Sequence, residues 1–265
     1  MFRNLTDNIP KNIGLYSVGV MLLFLFRVAF DLLQIMLSLL AFLVSYSSIY
    51  VLNDLHDIED DKKDEKKTLR KPLARGTVER KDAIWVFISL LILGLLFSII
   101  LNLMFFCVIC ILILINMIYS VPVKKNTGRK RLKHSIFGLP LVLLMQFLKI
   151  FLPWTFSTEM IRFPVLFSLG FSLIYVIIFK GYKENHTIGE SIKRAPISVG
   201  IAIITFVLSI SLYPEPVAQA SIILYILAGI IFFRNSHLTD QWVLLLSPIY
   251  IFLGIIFLFY VITNM

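Results

Sequence analysis

A run of acidic residues follows the second long apolar segment of the chain. Asn53, Asp57 and Asp61 are spaced four residues apart. On an α-helix each step of four residues advances about 400°, so the three side chains would form one stripe at intervals of about 6 Å. Mg²⁺ is usually held by one or two carboxylates together with substrate phosphates. If the segment is helical, the spacing predicts a Mg²⁺ site at these three residues.

Basic residues follow the acidic stripe and suggest what the metal would serve. Metal ions neutralise the charge that develops on a departing pyrophosphate, and basic side chains can clamp the same anion. The segment therefore suggests a reaction that displaces pyrophosphate. A solvated loop of mixed charge that merely joins two helices is the alternative, but the ordered spacing after an apolar segment favours a site. The basic side chains closest in sequence are Lys66, Lys67, Arg70 and Lys71.

The composition places these residues in a membrane protein. Of 265 residues, 58% are hydrophobic and 15% are charged, and the mean hydropathy is +0.89. Soluble domains are typically about 45–50% apolar and about 25% charged. The net charge of +9 could indicate nucleic-acid binding, but the apolar content favours basic loops that face anionic membrane lipid. We therefore expect lipid contact and no nucleic-acid partner.

Apolar runs recur along the whole chain, and most approach the length of about 20 residues that a membrane-spanning helix needs. They predict an all-α membrane protein with nine transmembrane helices around a central cavity, forming a single domain over residues 1–265. The predicted spans are 12–30, 32–52, 83–101, 103–121, 135–156, 163–179, 196–213, 217–233 and 242–262.

Lys and Arg residues set the predicted orientation. With nine spans, all but three of the 25 Lys and Arg residues fall in the N-terminal tail and the loops on the same side. By the positive-inside rule that side is cytoplasmic, so the N-terminus is predicted to lie inside. The acidic stripe belongs to the segment 53–82, which is predicted as a cytoplasmic loop. We therefore expect a multi-pass protein of the cell membrane whose active site faces the cytoplasm.

The stripe and its basic tail resemble the first aspartate-rich motif of the UbiA superfamily of intramembrane prenyltransferases. That motif reads Asn-Asp-x-x-Asp-x-x-x-Asp, followed by a basic stretch and Arg-Pro-Leu-x-x-Gly. Here Lys71 is inserted between the expected Arg and Pro. Tyr119-Ser120 followed by Lys124 is similar to a second family element at the end of the fourth helix. The matching residues of the first motif are Asn53, Asp54, Asp57, Asp61, Arg70, Pro72, Leu73 and Gly76.

The resemblance implies Mg²⁺-dependent transfer of an isoprenoid chain from a prenyl diphosphate to a small acceptor in the membrane, with release of pyrophosphate. It implies that the aspartates of the stripe serve catalysis through the metal. Lys67, Arg70 and Lys124 would contact the phosphates, and Lys180 would belong to the same anion-binding set. Glu184 would act as a catalytic residue of the second motif, either as a metal ligand or as an acceptor contact.

The second motif departs from the family pattern. Family members carry two or three aspartates after the sixth helix, whereas here Glu184 and Glu190 are the only carboxylates of that stretch. The sequence Lys180-Gly-Tyr-Lys-Glu184 is similar to a branch that transfers phosphoribosyl from phosphoribosyl pyrophosphate to a polyprenyl phosphate. Lys149, inside the fifth span, could match a basic residue of that branch. Phosphoribosyl transfer is therefore the alternative reaction, and a small membrane transporter is the alternative outside enzymes.

Overall fold

The computed structural model describes residues 2–119, 138–183 and 193–212. Within these ranges every regular element is helical and no strand occurs, which confirms the all-α prediction for this part of the chain. Short 3₁₀ turns cover Leu152–Phe156 and Met160–Arg162. The α-helices are α1 Phe2–Leu25, α2 Leu32–Asp61, α3 Glu65–Arg70, α4 Pro72–Arg75, α5 Arg80–Leu101, α6 Leu103–Ile118, α7 Gly138–Phe151, α8 Val165–Lys183 and α9 Pro196–Leu212.

Seven of the predicted spans coincide with helices of the structure. By length and composition, α2, α5 and the segment Gly138–Phe156 could each cross a membrane, while α1, α6, α8 and α9 contain shorter apolar stretches. The predicted spans 217–233 and 242–262 lie outside the described residues. The count of nine spans, the central cavity, the inside N-terminus and the single domain therefore stay predictions.

Contacts within the chain divide it into two compact units. The first comprises Met1–Ile13 and Phe30–Leu148, and the second comprises Gly14–Ala29 and Lys149–Met265. In the first unit, α2 packs along α5 at very short range. A Cβ atom on Gly94 of α5 would lie 2.6 Å from the Cα of Ser45, so only glycine allows this approach. Small residues of this kind let membrane helices pack backbone to backbone.

A single residue joins α5 to α6. Asn102 has extended backbone angles, and its side chain accepts hydrogen bonds from the backbone N–H groups of Met104 and Phe105, at 2.7 and 3.1 Å. This is the N-cap arrangement that Asn favours at a helix start. The side chain therefore ends one helix and begins the next within one residue.

In the second unit, Trp154 anchors the 3₁₀ turn after α7. Its indole Nε1 donates a hydrogen bond of 3.0 Å to the carbonyl oxygen of Gly19, and its ring contacts Phe26 and Phe163 edge to face. The indole is fully buried. Its one polar group therefore has the partner that a buried N–H requires.

The predicted connection 53–82 is largely helical. Helix α2 continues to Asp61, nine residues beyond the predicted end of its span, and α3, α4 and the start of α5 occupy most of the remainder. This matters for the site, because a helix through residue 61 is the condition under which the acidic side chains form a stripe.

Candidate active site

The predicted metal stripe lies on the last three turns of α2. Asp61 is 1% exposed, and Asp57 is partly exposed. The side-chain oxygen of Asn53, Oδ1, is buried and accepts no hydrogen bond from the part of the chain that the structure describes. Nearly all buried polar atoms in proteins have a partner, so an orphaned acceptor calls for an explanation such as an absent ion or water. The structure thus places the stripe on one helix, and within the described ranges one of its oxygens has no partner.

Lys71 bridges two carboxylates at this end of α2. Its Nζ lies 2.6 Å from Oδ2 of Asp61 and 2.9 Å from Oδ1 of Asp54. The Lys71 side chain is 19% exposed and that of Asp61 is 2% exposed. Burial alone would lower the pKa of Lys71, but the hydrogen bonds and negative charge of Asp61 and Asp54 outweigh it and raise the pKa above its ordinary value. Lys71 is therefore an ammonium ion at neutral pH.

The sequence did not predict this triad. It assigned Lys71 only to a phosphate clamp and gave Asp54 no role of its own. Asp54 lies seven residues before Asp61, so the two side chains lie within about 20° of each other around α2. That spacing and a cation just before a proline turn are the available signals, but they do not identify which basic residue pairs with the two carboxylates.

The turn of α4 holds the Lys71 backbone in place. Lys71 precedes α4 with extended backbone angles, and Pro72 occupies the first turn. Gly76 ends the helix with a φ of 78°, in the left-handed region that glycine adopts without strain. The N–H of Thr77 donates to the carbonyl of Pro72, at 3.0 Å, and closes the turn. The Pro and Gly of the recognised motif thus have a structural role, which is to begin and end this helix.

Leu73 and Thr68 attach this region to the helix ends around it. Leu73 is buried in an apolar cluster with Val51 and Ala83. The hydroxyl of Thr68 donates to the backbone carbonyl of Asp61, at 3.0 Å. Burial of a leucine side chain contributes about 1.5–3 kcal/mol. The position of the Lys71 ammonium is therefore fixed from both sides by packing and hydrogen bonds.

Aromatic residues extend the face of the stripe into the apolar part of α2. Phe42, Tyr46 and Tyr50 are spaced four residues apart, and neighbouring rings lie 5.5 and 5.4 Å apart. Amides from other helices hold the tyrosines. The amide of Asn116 donates to the Tyr46 hydroxyl at 2.9 Å, and that of Asn12 donates to the Tyr50 hydroxyl at 3.0 Å. The sequence analysis missed this face, although polar amides within apolar runs and the spacing of four were visible signals.

For the remaining predicted site residues, the structure describes either the backbone alone or neither backbone nor side chain. Lys67 and Arg70 lie on α3 and Lys180 lies on the last turns of α8, but only their backbones are described. Lys124 and Glu184 lie outside the described residues. Their contribution to the site therefore stays a prediction.

Among the described residues, no three His, Cys, Asp or Glu side chains lie close enough to hold a metal ion together. A metal on the stripe would have two carboxylates and one amide, and would need further oxygens from a ligand or from water.

An open pocket of about 400 Å³ lies on another face of α2. It is lined by Leu55, His56, Ile58, Glu59, Lys62, Leu73, Gly76, Val78 and Arg80, and it includes no residue of the stripe.

The sequence profile of the UbiA prenyltransferase family matches residues 14–262. The chain belongs to this family. The match covers nearly the whole chain, including the stripe and the tail through Gly76, and it confirms the resemblance drawn from those residues. Family membership makes the chain an intramembrane protein and a transferase. No protein of curated function matches the chain by sequence.

Solved structures of UbiA homologues share the fold. A homologue from Archaeoglobus fulgidus bound to GPP and Mg²⁺ has a TM-score of 0.65 and 17% identity, with 98% of each chain covered. An apo homologue from Aeropyrum pernix K1 has a TM-score of 0.61 and 16% identity, with 95% of this chain and 98% of that one covered. A digeranylgeranylglyceryl phosphate synthase has a TM-score of 0.57 and 19% identity, with 97% and 96% covered. At these identities the likeness establishes the fold.

Proposed function

We propose that this UbiA family member transfers an isoprenoid chain from a prenyl diphosphate to a small acceptor in the membrane, with Mg²⁺ as cofactor and pyrophosphate as leaving group. The observation that carries the proposal is the stripe of Asn53, Asp57 and Asp61 on the last turns of α2, with a buried amide oxygen that has no hydrogen-bond partner among the described residues. The solved homologue bound to GPP and Mg²⁺ supports the choice of donor and metal.

The donor atoms of the stripe fit Mg²⁺. All three residues offer oxygen, which Mg²⁺ prefers, and two carboxylates are what this ion usually takes from protein when phosphates complete its shell. When bound, the metal would neutralise the charge that develops on the pyrophosphate. Asn53, Asp57 and Asp61 would hold it.

The other residues of the site would act on the diphosphate and on the acceptor. Lys67, Arg70, Lys124 and Lys180 would contact the phosphates as cations, and Glu184 would serve as a further metal ligand or acceptor contact.

We further propose nine transmembrane helices in one domain around a central cavity, with the N-terminus and the stripe on the cytoplasmic side of the cell membrane. Lys63→Cys, close after the stripe, tests the orientation in a background without the native cysteines. Ile161→Cys, at a residue that is 98% exposed in a predicted outer loop, is the matched control. In sealed right-side-out vesicles, an impermeant maleimide should label residue 161 and spare residue 63. Labelling of residue 63 alone from outside would overturn the topology.

The reaction itself is tested with labelled donors. Membranes that contain the chain are incubated with prenyl diphosphates labelled in the prenyl group, and separately with labelled phosphoribosyl pyrophosphate. Entry of the prenyl label into a new lipid product, dependent on Mg²⁺ and absent in Asp57→Ala, supports the proposal. Entry of the phosphoribosyl label alone would replace it with the second candidate.

Phosphoribosyl transfer to a polyprenyl phosphate is that second candidate, and one observation favours it. Lys149 on α7 is 4% exposed, so it does not face lipid as a snorkelling lysine would. A buried lysine in a membrane helix usually serves a polar site. The chemistry at the stripe would be shared, because both reactions displace pyrophosphate from a carbon that can carry positive charge. The transporter alternative loses its support with the family assignment.

A further inference from the structure

We propose that Lys71 makes metal binding at the Asn53–Asp57–Asp61 stripe depend on the diphosphate. This inference rests on the proposed function, and it concerns a residue at which the chain departs from the family motif. Lys71 would suppress binding of the bare metal ion and favour binding of the metal together with a diphosphate. It would act as a positioning residue for Asp61 and as a direct contact for the anion.

The geometry gives Lys71 a position inside the metal site. Its ammonium lies 2.6 Å from an oxygen of Asp61, a predicted metal ligand, and 2.9 Å from an oxygen of Asp54, seven residues earlier on the same side of α2. With Asp61 1% exposed, this ion pair is held away from bulk water. A metal ion that binds Asp61 would therefore meet a fixed positive charge beside its ligand, and the two cations would repel each other.

A diphosphate removes this repulsion. An ammonium group has three N–H donors, and Lys71 directs bonds to two carboxylates. Among the described residues the third donor has no partner, and the side chain is 19% exposed, so a phosphate oxygen could reach it. A diphosphate would then contact the metal and Lys71 at once. Each ligand would raise the affinity for the other by the same factor, as thermodynamic linkage requires.

The binding test uses Mn²⁺ as the probe, alone and with inorganic pyrophosphate, on the detergent-solubilised full chain. Equilibrium dialysis measures the excess of labelled Mn²⁺ in the protein chamber. The wild type should bind Mn²⁺ at least about tenfold more tightly when pyrophosphate is present. Lys71→Gln and Lys71→Met should each bind Mn²⁺ alone at least about tenfold more tightly than the wild type, which corresponds to about 1.4 kcal/mol. In both variants pyrophosphate should add less than about threefold.

Two variants control for charge and for general effects. Lys71→Arg keeps the positive charge and should behave like the wild type. Lys62→Met removes a lysine of the same region whose partner is the exposed Glu59, at 3.2 Å, and should leave Mn²⁺ binding unchanged. A purely structural role for Lys71 would weaken Mn²⁺ binding in the neutral variants rather than strengthen it.

Three outcomes would overturn the inference or its basis. Neutral variants that bind Mn²⁺ alone no more tightly than the wild type refute the role of Lys71. If neither neutral variant folds, the wild type still decides, because equal affinity for Mn²⁺ with and without pyrophosphate also refutes it. A wild type that binds no Mn²⁺ under either condition would instead refute the metal site of the proposed function.

Discussion

Substitutions of Asp57 and Asp61 should both reduce activity but should differ in their effect on stability. The change we consider is Asp→Asn at each position, which keeps the shape and removes the charge. Asp61 is buried and paired with Lys71, whereas Asp57 is partly exposed. Both are predicted metal ligands, so both variants should lose at least about hundredfold in rate, or about 2.7 kcal/mol of transition-state stabilisation.

The stability difference follows from the Lys71 bridge. A hydrogen bond to a charged group contributes about 1.5–3 kcal/mol. In Asp61→Asn the amide oxygen can still accept from Lys71, and Asp54 remains at 2.9 Å, so we expect a loss of about 1–2 kcal/mol. For a chain of this size, each kcal/mol corresponds to about 2–4 °C in Tm. Asp61→Asn should therefore lower the Tm by about 2–8 °C, and Asp57→Asn should change it by less than about 2 °C.

Two assays on the same preparations separate the effects. Tryptophan fluorescence during heating gives the Tm of the solubilised chain, and transfer of label from a prenyl diphosphate into lipid gives the rate. Equal Tm values for the two variants would refute the assignment of the bridge to stability. Near-normal Mg²⁺-dependent transfer in Asp57→Asn would refute the metal stripe itself.

Three further substitutions have defined outcomes. Gly94→Ala should lower the Tm, because overpacking of a tight helix contact costs about 1–3 kcal/mol. Gly200→Ala, with open space around the residue, should leave the Tm unchanged. An unchanged Tm in Gly94→Ala would contradict the close packing of α2 on α5. Arg27 has a φ of 52°, in the left-handed region that strains every residue except glycine. Arg27→Gly should therefore stabilise the chain by up to about 1 kcal/mol, and Arg27→Ala should not. A lower Tm for the glycine variant would contradict backbone strain at this residue. Glu184→Gln should lower the transfer rate at least about tenfold, or about 1.4 kcal/mol. Glu190→Gln should change the transfer rate little. Equal losses of rate in the two variants would refute a special role for Glu184.

Helix positions and the stripe were predictable because they depend on local spacing. The length of an apolar run sets where a helix can cross a membrane, and a spacing of four residues sets one face of a helix. The short helix α4 was also accessible, since Pro72 at its start and Gly76 at its end follow the usual preference for Pro at helix starts and Gly just beyond helix ends.

The contacts that complete the site were not predictable in the same way. Lys71 is ten residues from Asp61, and the tyrosine hydroxyl of Tyr46 receives its hydrogen bond from Asn116, 70 residues away. Such contacts depend on how helices dock, and helix docking is set by many weak packing terms rather than by one spacing. The sequence therefore proposes residues for the chemistry, but helix docking decides which of them meet.

The Lys71 bridge also addresses a problem that any metal site at a membrane edge must solve. A buried carboxylate without a counter-charge is costly, and the Lys71 ammonium compensates the charges of Asp54 and Asp61. Under the proposal above, the same cation would oppose a metal ion that binds without a diphosphate. Stability of the site and selectivity for a metal-bound diphosphate would then both follow from this ion pair, because the charge that compensates the carboxylates would also be the charge that the diphosphate contacts.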